Sequence, residues 1–233
     1  MSNVYFLTPT GNRPEGMALL AEYVEAQTYQ GDATWVIVDD CDPATHLPTA
    51  INNVRIRCLR PEGWRWKSGM NTQARCMAAG LSIIPDDGLV IVLEDDDCYL
   101  PGYVETMLEA LTRSELVGER TARYYNVATG RFKRIPCPRH SSLASTALRG
   151  AALSVLRGIC EVGKERMIDV ALWRKVGGLL LDSENVISIK GLPGRGGIGV
   201  GHRKSFGDVD KNGVLELWAG EYAGNYEMFR RAS

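Results

Sequence analysis

The sequence contains no C-x-x-C pair; its six cysteines (Cys41, Cys58, Cys76, Cys98, Cys137 and Cys160) are scattered along 233 residues. That spacing excludes a zinc ribbon and argues against a disulfide frame, so reduced thiols and a cytoplasmic setting are expected. No apolar run approaches the roughly 20 residues that a bilayer-crossing helix needs, so no membrane partner is expected. The opening MSNVYFLTPTGNRPEG lacks a basic start and a long apolar core, so it does not read as a secretory signal. Histidine is scarce, with only His46, His140 and His202 present. Acids are missing altogether from residues 120–160.

That last gap belongs to a wider segregation beneath a net charge of −1. Residues 1–42 carry seven acids against Arg13, and residues 86–119 carry ten against Arg113. Residues 120–160 hold Arg120, Arg123, Arg131, Lys133, Arg134, Arg139, Arg149 and Arg157, and residues 43–85 set six bases against Glu62. Two basic blocks in a near-neutral chain suggest local work on anions, or pairing with the acidic segments.

Apolar periodicity supplies the order of elements. NVYFLTPT, ATWVIVDDC and GLVIVLEDD are short apolar runs that end in polar residues, as doubly covered strands do, and NVRIRCL alternates like a more exposed strand. PEGMALLAEYVEAQTY, KSGMNTQARCMAAGLSII and GYVETMLEALTRS carry helical spacing. Strand–helix alternation implies an α/β fold with a mostly parallel sheet, its ligands gathered beyond the strand C-termini. In the second half, TARYYNVATGRFKRI reads as a hairpin turning near Thr129-Gly130. STALRGAALSVLRGI is ambiguous between strand and helix, and DVALWRKVGG reads as a short helix capped by Asp169 and stopped at Gly177-Gly178. Residues 191–201, GLPGRGGIGVG, read as a glycine loop.

The strand LVIVLEDDDCYL runs into Glu94, Asp95, Asp96 and Asp97. Four adjoining carboxylates repel one another, and beyond a central strand such a cluster calls for a cation. Oxygen ligands of this kind suit Mn²⁺ or Mg²⁺.

Set in order, these pieces resemble the GT-A fold glycosyltransferases, in particular inverting family 2. FLTPTGNRPEGMALLAEYVEAQTYQGDATWVIVDDC is similar to the family's opening strand, turn, helix and Val-Asp-Asp strand end. MNTQARCMAAGLSIIPDDGLVIVLEDDDCYLPGYVETML is similar to its Ala-Arg helix, strand, DxD motif and Leu-Pro-Gly-Tyr. The resemblance covers roughly the first 110 residues. It implies a single GT-A, Rossmann-like domain, residues 1–110 binding a nucleotide-diphosphate sugar and residues 111–233 an acceptor. By the same resemblance Asp96 is the metal ligand, Asp95 contacts ribose or sugar, and Asp97 supports them. Thr8, Pro9 and Arg13 cradle the nucleoside, Asp39 or Asp40 accepts from uracil N–H (favouring a UDP donor), and Arg75 lies against base or phosphate. Cys76 stands where the family usually has Asn, and Cys41-Asp42 where it has Gly-Ser.

Inverting transfer needs a carboxylate to take the acceptor's proton. The family supplies one from a Glu-Asp-x-x-Leu-Trp motif, which MIDVALWRKVGG resembles with Ile in place of Glu, so Asp169 is the expected base, with Glu161, Glu165 and Asp182 as rivals. A late histidine on the metal is a GT-A habit, and His202 after the glycine loop fits it. GRGGIG satisfies a dinucleotide fingerprint formally, but it sits late and opens no βαβ unit, so NAD is excluded. DVDKNGVLELWA begins like a calcium loop but has Ala219 in place of the bidentate Glu. The acceptor is left open. Cations interleaved with Trp64, Trp66, Tyr124, Tyr125 and Phe132 suit a polyanion, a hydroxylated base in DNA among the candidates. Saccharide or small-molecule acceptors, or a nucleotide-sugar-binding protein without transfer activity, are the alternatives.

Overall fold

The structure, a computed structural model, describes residues 3–61, 66–67, 70–165, 167–195, 201, 203 and 205–230. Its first half alternates as expected: β1 (Val4–Thr10), α1 (Pro14–Glu25), β2 (Ala33–Asp39), β3 (Val54–Leu59), α2 (Gln73–Leu81) and β4 (Leu89–Val92). β3, β2, β1 and β4 lie side by side and parallel, with Thr10 beside Asp39 and Leu7 beside Val92 in register. The polar residues that end β1, β2 and β4 therefore meet at one edge, where an open parallel sheet binds ligands.

Successive strand residues face opposite sides, which is why both alternations are apolar. Phe6, Trp35, Ile37 and Ile91 pack with Met17, Leu20 and Tyr23 of α1 on one side. Leu7, Val36, Val38, Val90 and Val92 pack with Ala74, Met77 and Leu81 of α2 on the other. Each fully buried Leu or Ile contributes roughly 1.5–3 kcal/mol.

The second half adds β5 (Cys98–Tyr99), α3 (Tyr103–Leu111), β6 (Leu116–Glu119), β7 (Thr121–Asn126), β8 (Arg131–Pro136), β9 (Thr146–Leu148), α4 (Gly150–Val162), α5 (Ile168–Val176), β10 (Leu179–Leu181), β11 (Val186–Lys190), β12 (Asp208–Val209) and α6 (Val214–Ala219). A 3-10 segment, Gly220–Phe229, closes the described chain. Among the described residues the main sheet runs β10-β6-β9-β4-β1-β2-β3, with β9 antiparallel to both its neighbours, and a smaller sheet runs β12-β8-β7-β11-β5. The architecture is a mixed, mostly parallel α/β sheet flanked by helices.

The ambiguous STALRGAALSVLRGI is both strand and helix. Thr146–Leu148 gains ladder partners from β4 and β6, and the chain turns at Gly150 (φ +54°) into α4. The helix read over 67–84 is shorter, Gln73–Leu81, because Trp66 and Thr72 are bonded to the end of β2 instead. Asp169 is not the N-cap of α5, contrary to the sequence expectation. Met167 holds that place and Asp169 sits inside the first turn, where a carboxylate favours the helix dipole without capping it. Part of the expected glycine loop, residues 196–200, lies outside the described residues.

The basic 120–160 block is largely consumed by the fold. Arg120 pairs with Asp182 at 3.0 Å, Arg134 with Glu184 and Arg157 with Asp86. Arg149 donates to the Leu111 carbonyl at 2.9 Å. The supposed calcium loop has another use. Asp210 accepts from the amides of Asn212, Val214 and Leu215 and from the Tyr125 hydroxyl, which organises the start of α6. Among the described residues no helix is long and apolar enough to cross a membrane.

Candidate active site

Residues 94–97 form a turn between β4 and β5, closed by the Asp97 amide donating to the Glu94 carbonyl at 3.3 Å. The turn rests on the first helical turn of α1, where a Cβ on Gly16 would collide with the Asp95 carbonyl oxygen. A residue without a side chain is required for that approach.

Each acid has its own partners. Asp95 accepts from Thr10 Oγ1 at 2.7 Å and from Arg13 Nη1 at 2.5 Å, and Arg13 Nη1 also stands 3.5 Å from Asp96. Gln73, from the first turn of α2, donates to Glu94 Oε1 at 2.9 Å. β11 pairs antiparallel with β5, and its two-residue period turns Ser188 and Lys190 to the same side. Ser188 Oγ donates to Asp97 at 3.0 Å. Lys190 Nζ lies 3.1 Å from Asp96 Oδ2 and 3.0 Å from Asp97 Oδ1.

The electrostatics follow from enclosure. Burial pushes the Glu94 carboxyl up to about 8, with Asp97 and Asp96 adding to the effect and Lys190 opposing it. Burial likewise raises Asp97 to about 7, against the pull of Lys190, and raises Asp95 against Arg13. Burial disfavours the charges of Arg13 and Lys190, but the neighbouring carboxylates outweigh it and both are held firmly protonated. With all four carboxylates ionised, the state that a bound cation favours over these raised values, the two fixed cations leave a formal −2, the complement of one divalent ion.

The cluster also meets the geometry such an ion needs. Glu94, Asp96 and Asp97 can each present an oxygen, all within 4.8 Å of one another. In an octahedron with metal–oxygen distances of about 2.1 Å, opposite ligands lie about 4.2 Å apart, so small side-chain shifts suffice. His202, the expected further ligand, lies outside the described residues.

Beside the acids, the end of β2 forms the second polar group. Asp39 is spent on its own loop, accepting from the amides of Cys41 and Thr45 and from Thr45 Oγ1. Asp40 is equally buried but is bonded to more distant segments. It accepts from Arg195 Nη1 at 2.6 Å and from Thr72 Oγ1, while the Arg195 guanidinium lies over the Trp66 ring, 4.7 Å from its centroid. Arg195 also ties in Arg13, whose Nε donates to the Arg195 carbonyl at 2.7 Å. Thr8 is a core residue, its Oγ1 accepting from the Trp35 indole at 2.9 Å, while Pro9 is half-buried at the crevice edge. Arg75 is exposed on α2.

The structure thus brings Arg13, Asp40, Asp95 and Asp96 together with Thr10, from the polar end of β1, and adds Gln73, Ser188, Lys190 and Arg195, which sequence reasoning missed. Lys190 left one trace, a lysine ending the otherwise apolar strand VISIK. Asp169 is half-buried near His140, and burial raises its carboxyl above the usual range while its own helix amides and His140 pull it back. Of its rivals, Asp182 is taken up by Arg120, and Glu161 and Glu165 are exposed.

No family model matches the chain, and no curated protein matches it in sequence. Its fold is similar to that of S. aureus TarS 1–349, with TM-score 0.52 and 13% identity over 80% of this chain and 60% of that one. The same TarS fragment in complex with UDP-GlcNAc superposes with TM-score 0.51 at 12% identity, over 80% and 58%. A longer TarS chain gives 0.50 at 12%, over 81% and 37%. The fold is GT-A-like. The chain spans about 60% of the TarS 1–349 length. At such identities the GT-A-like resemblance is one of fold and does not single out glycosyltransferase family 2.

Proposed function

We propose that this chain is a metal-dependent glycosyltransferase that moves a sugar from a nucleotide-diphosphate donor, a UDP-sugar, to an acceptor hydroxyl with inversion. The observation that carries this is the buried acid turn, of formal charge −2, set at the meeting point of three strand ends in a GT-A-like sheet. The similar TarS structure in complex with UDP-GlcNAc supports the choice of donor.

Asp96, with Glu94, Asp97 and His202 as further ligands, would hold Mn²⁺ or Mg²⁺, whose charge offsets that developing on the departing diphosphate. Arg13 and Thr10 hold Asp95 in place for the ribose or sugar. Asp40, the member of its pair held by Arg195, accepts the uracil N–H once Arg195 gives way, and Thr8 with Pro9 shapes the turn beneath. Arg75 reaches toward base or phosphate. Asp169 takes the acceptor's proton while the acceptor oxygen attacks the anomeric carbon opposite the diphosphate. The bond from that carbon to the phosphate oxygen breaks, and its electron pair leaves with UDP.

The decisive experiment offers Mn²⁺ and a panel of UDP-sugars and measures released UDP. Hydrolysis or transfer with at least one donor is expected, and its loss on chelating the metal. Tight UDP binding with no turnover of any donor would instead make the chain a nucleotide-sugar-binding protein.

For the acceptor we propose a polyanion, a hydroxylated base in duplex DNA. Support comes from the cations that the fold leaves on the surface, Lys133 beside the Phe206 ring and Arg139. With about two phosphate contacts, DNA affinity should fall about tenfold between 50 and 200 mM salt. Binding that is absent or indifferent to salt transfers the acceptor role to a saccharide or small molecule.

A further inference from the structure

Lys190 has no counterpart among the residues that the resemblance supplies, yet it is the most enclosed cation of the site. It ends β11, a strand buried along its whole length, and is itself 8% exposed. Its ammonium sits between two of the three carboxylates that could hold a metal, 3.1 Å from Asp96 Oδ2 and 3.0 Å from Asp97 Oδ1. Gly201 and the Tyr124 ring close over its stem, since a Cβ on Gly201 would lie 3.1 Å from Lys190 Cγ and 3.2 Å from Tyr124 Cδ1. The stem is therefore enclosed, and the ammonium is directed onto both carboxylates.

Metal binding here would set two positive charges on the same oxygens. A divalent ion bound by Asp96 and Asp97 must either displace the ammonium from its hydrogen bonds or accept its repulsion at close range, with little water between to screen it. We infer that Lys190 is a resident counter-ion of the acid turn, which competes with the divalent metal for Asp96 and Asp97. It offsets part of the turn's negative charge before metal arrives, and it weakens metal binding until the donor's diphosphate adds its own negative charge. Metal and nucleotide then load together. This rests on the acid turn being a metal site, and it assigns to that site a regulator drawn from the chain itself.

A merely structural ion pair makes a different prediction, so the two separate cleanly. Mn²⁺ is titrated without nucleotide into the wild type, Lys190→Gln and Lys190→Arg, and the melting temperature is read with and without saturating Mn²⁺. With competition, Lys190→Gln binds Mn²⁺ at least tenfold more tightly than wild type, and its Mn²⁺-induced rise in melting temperature exceeds the wild-type rise. Lys190→Arg, which keeps a positive charge beside the same oxygens, stays within about threefold of wild type. Unchanged or weaker Mn²⁺ affinity in folded Lys190→Gln overturns the competition. So does a Lys190→Gln protein that stays unfolded at saturating Mn²⁺, because the ion would then be unable to replace the ammonium. Wild-type UDP-sugar turnover judges the transferase itself. Turnover with unchanged Lys190→Gln affinity discards only the role of Lys190, and tighter Mn²⁺ binding without turnover discards only the transferase.

Discussion

Asp96→Asn is expected to lower UDP-sugar turnover by about a thousandfold or more while leaving the protein folded. The carboxylate lies between Arg13, at 3.5 Å, and Lys190, at 3.1 Å, and it faces Glu94 and Asp97 across the proposed metal position. An amide of the same shape keeps the packing but removes one full negative charge from the ligand set, so the cluster's formal charge moves from −2 to −1 and the divalent ion loses its match. Removing a single charge-stabilising group from such a site commonly costs a factor of about 10²–10³, and loss of the metal costs more.

Stability should move the other way or hardly at all. Asp96 is among the groups that raise Glu94 and Asp97, so neutralising it relieves repulsion inside a buried turn, and Lys190 keeps Asp97 as a partner. Three measurements check this: UDP release with Mn²⁺, calorimetric Mn²⁺ affinity and melting temperature. A variant with normal melting temperature and wild-type turnover would remove the acid turn from the chemistry.

Asp169→Asn is expected to spare UDP and Mn²⁺ binding while turnover falls by about 10²–10⁴, the usual contribution of a positioned general base. The kinetic signature is a lowered kcat with little change in donor KM, because the group acts on the acceptor's proton and not on the donor. The pH profile adds a sign. Burial raises the Asp169 carboxyl above its ordinary value, and a base works only when ionised. Wild-type turnover should therefore rise with pH through that raised value, and the rise should vanish in Asp169→Asn. The variant should fold, since the side chain is half-buried and its loss at the first turn of α5 costs about 0.3–1 kcal/mol of dipole interaction. Turnover within a few-fold of wild type would move the base role away from Asp169.

The strands and helices of the first half were legible because their residues answer to local periods. Phe6 and Leu7, or Trp35 and Val36, need only alternate on a strand, and Met17, Leu20 and Tyr23 need only recur at helical spacing. The gathering of Asp40, Asp95 and Asp96 was legible for a related reason, since parallel order aligns strand ends whatever the loops do. Long-range partners settled one local ambiguity and shortened one expected helix, and a third expectation, the cap of α5, failed within its own turn. Thr146–Leu148 became a central strand because β4 and β6 supplied a ladder on both sides. Thr72 bonds Asp40 and stands outside the helix, and Met167, not Asp169, holds the cap position of α5.

What the sequence alone determined is the α/β order and an acid turn at the end of a central strand, both set by interactions within a few residues. Tertiary structure alone decided which cations meet those acids: Arg13 from 82 residues away, Lys190 from 93 and 94, and Arg195 reaching back 155 to Asp40. Charge on a side chain is written in the sequence, but its partner is chosen by which segments the buried sheet forces into contact. In water most of these cations would be screened; enclosed between β4, β11 and α1, they set the charge of the site.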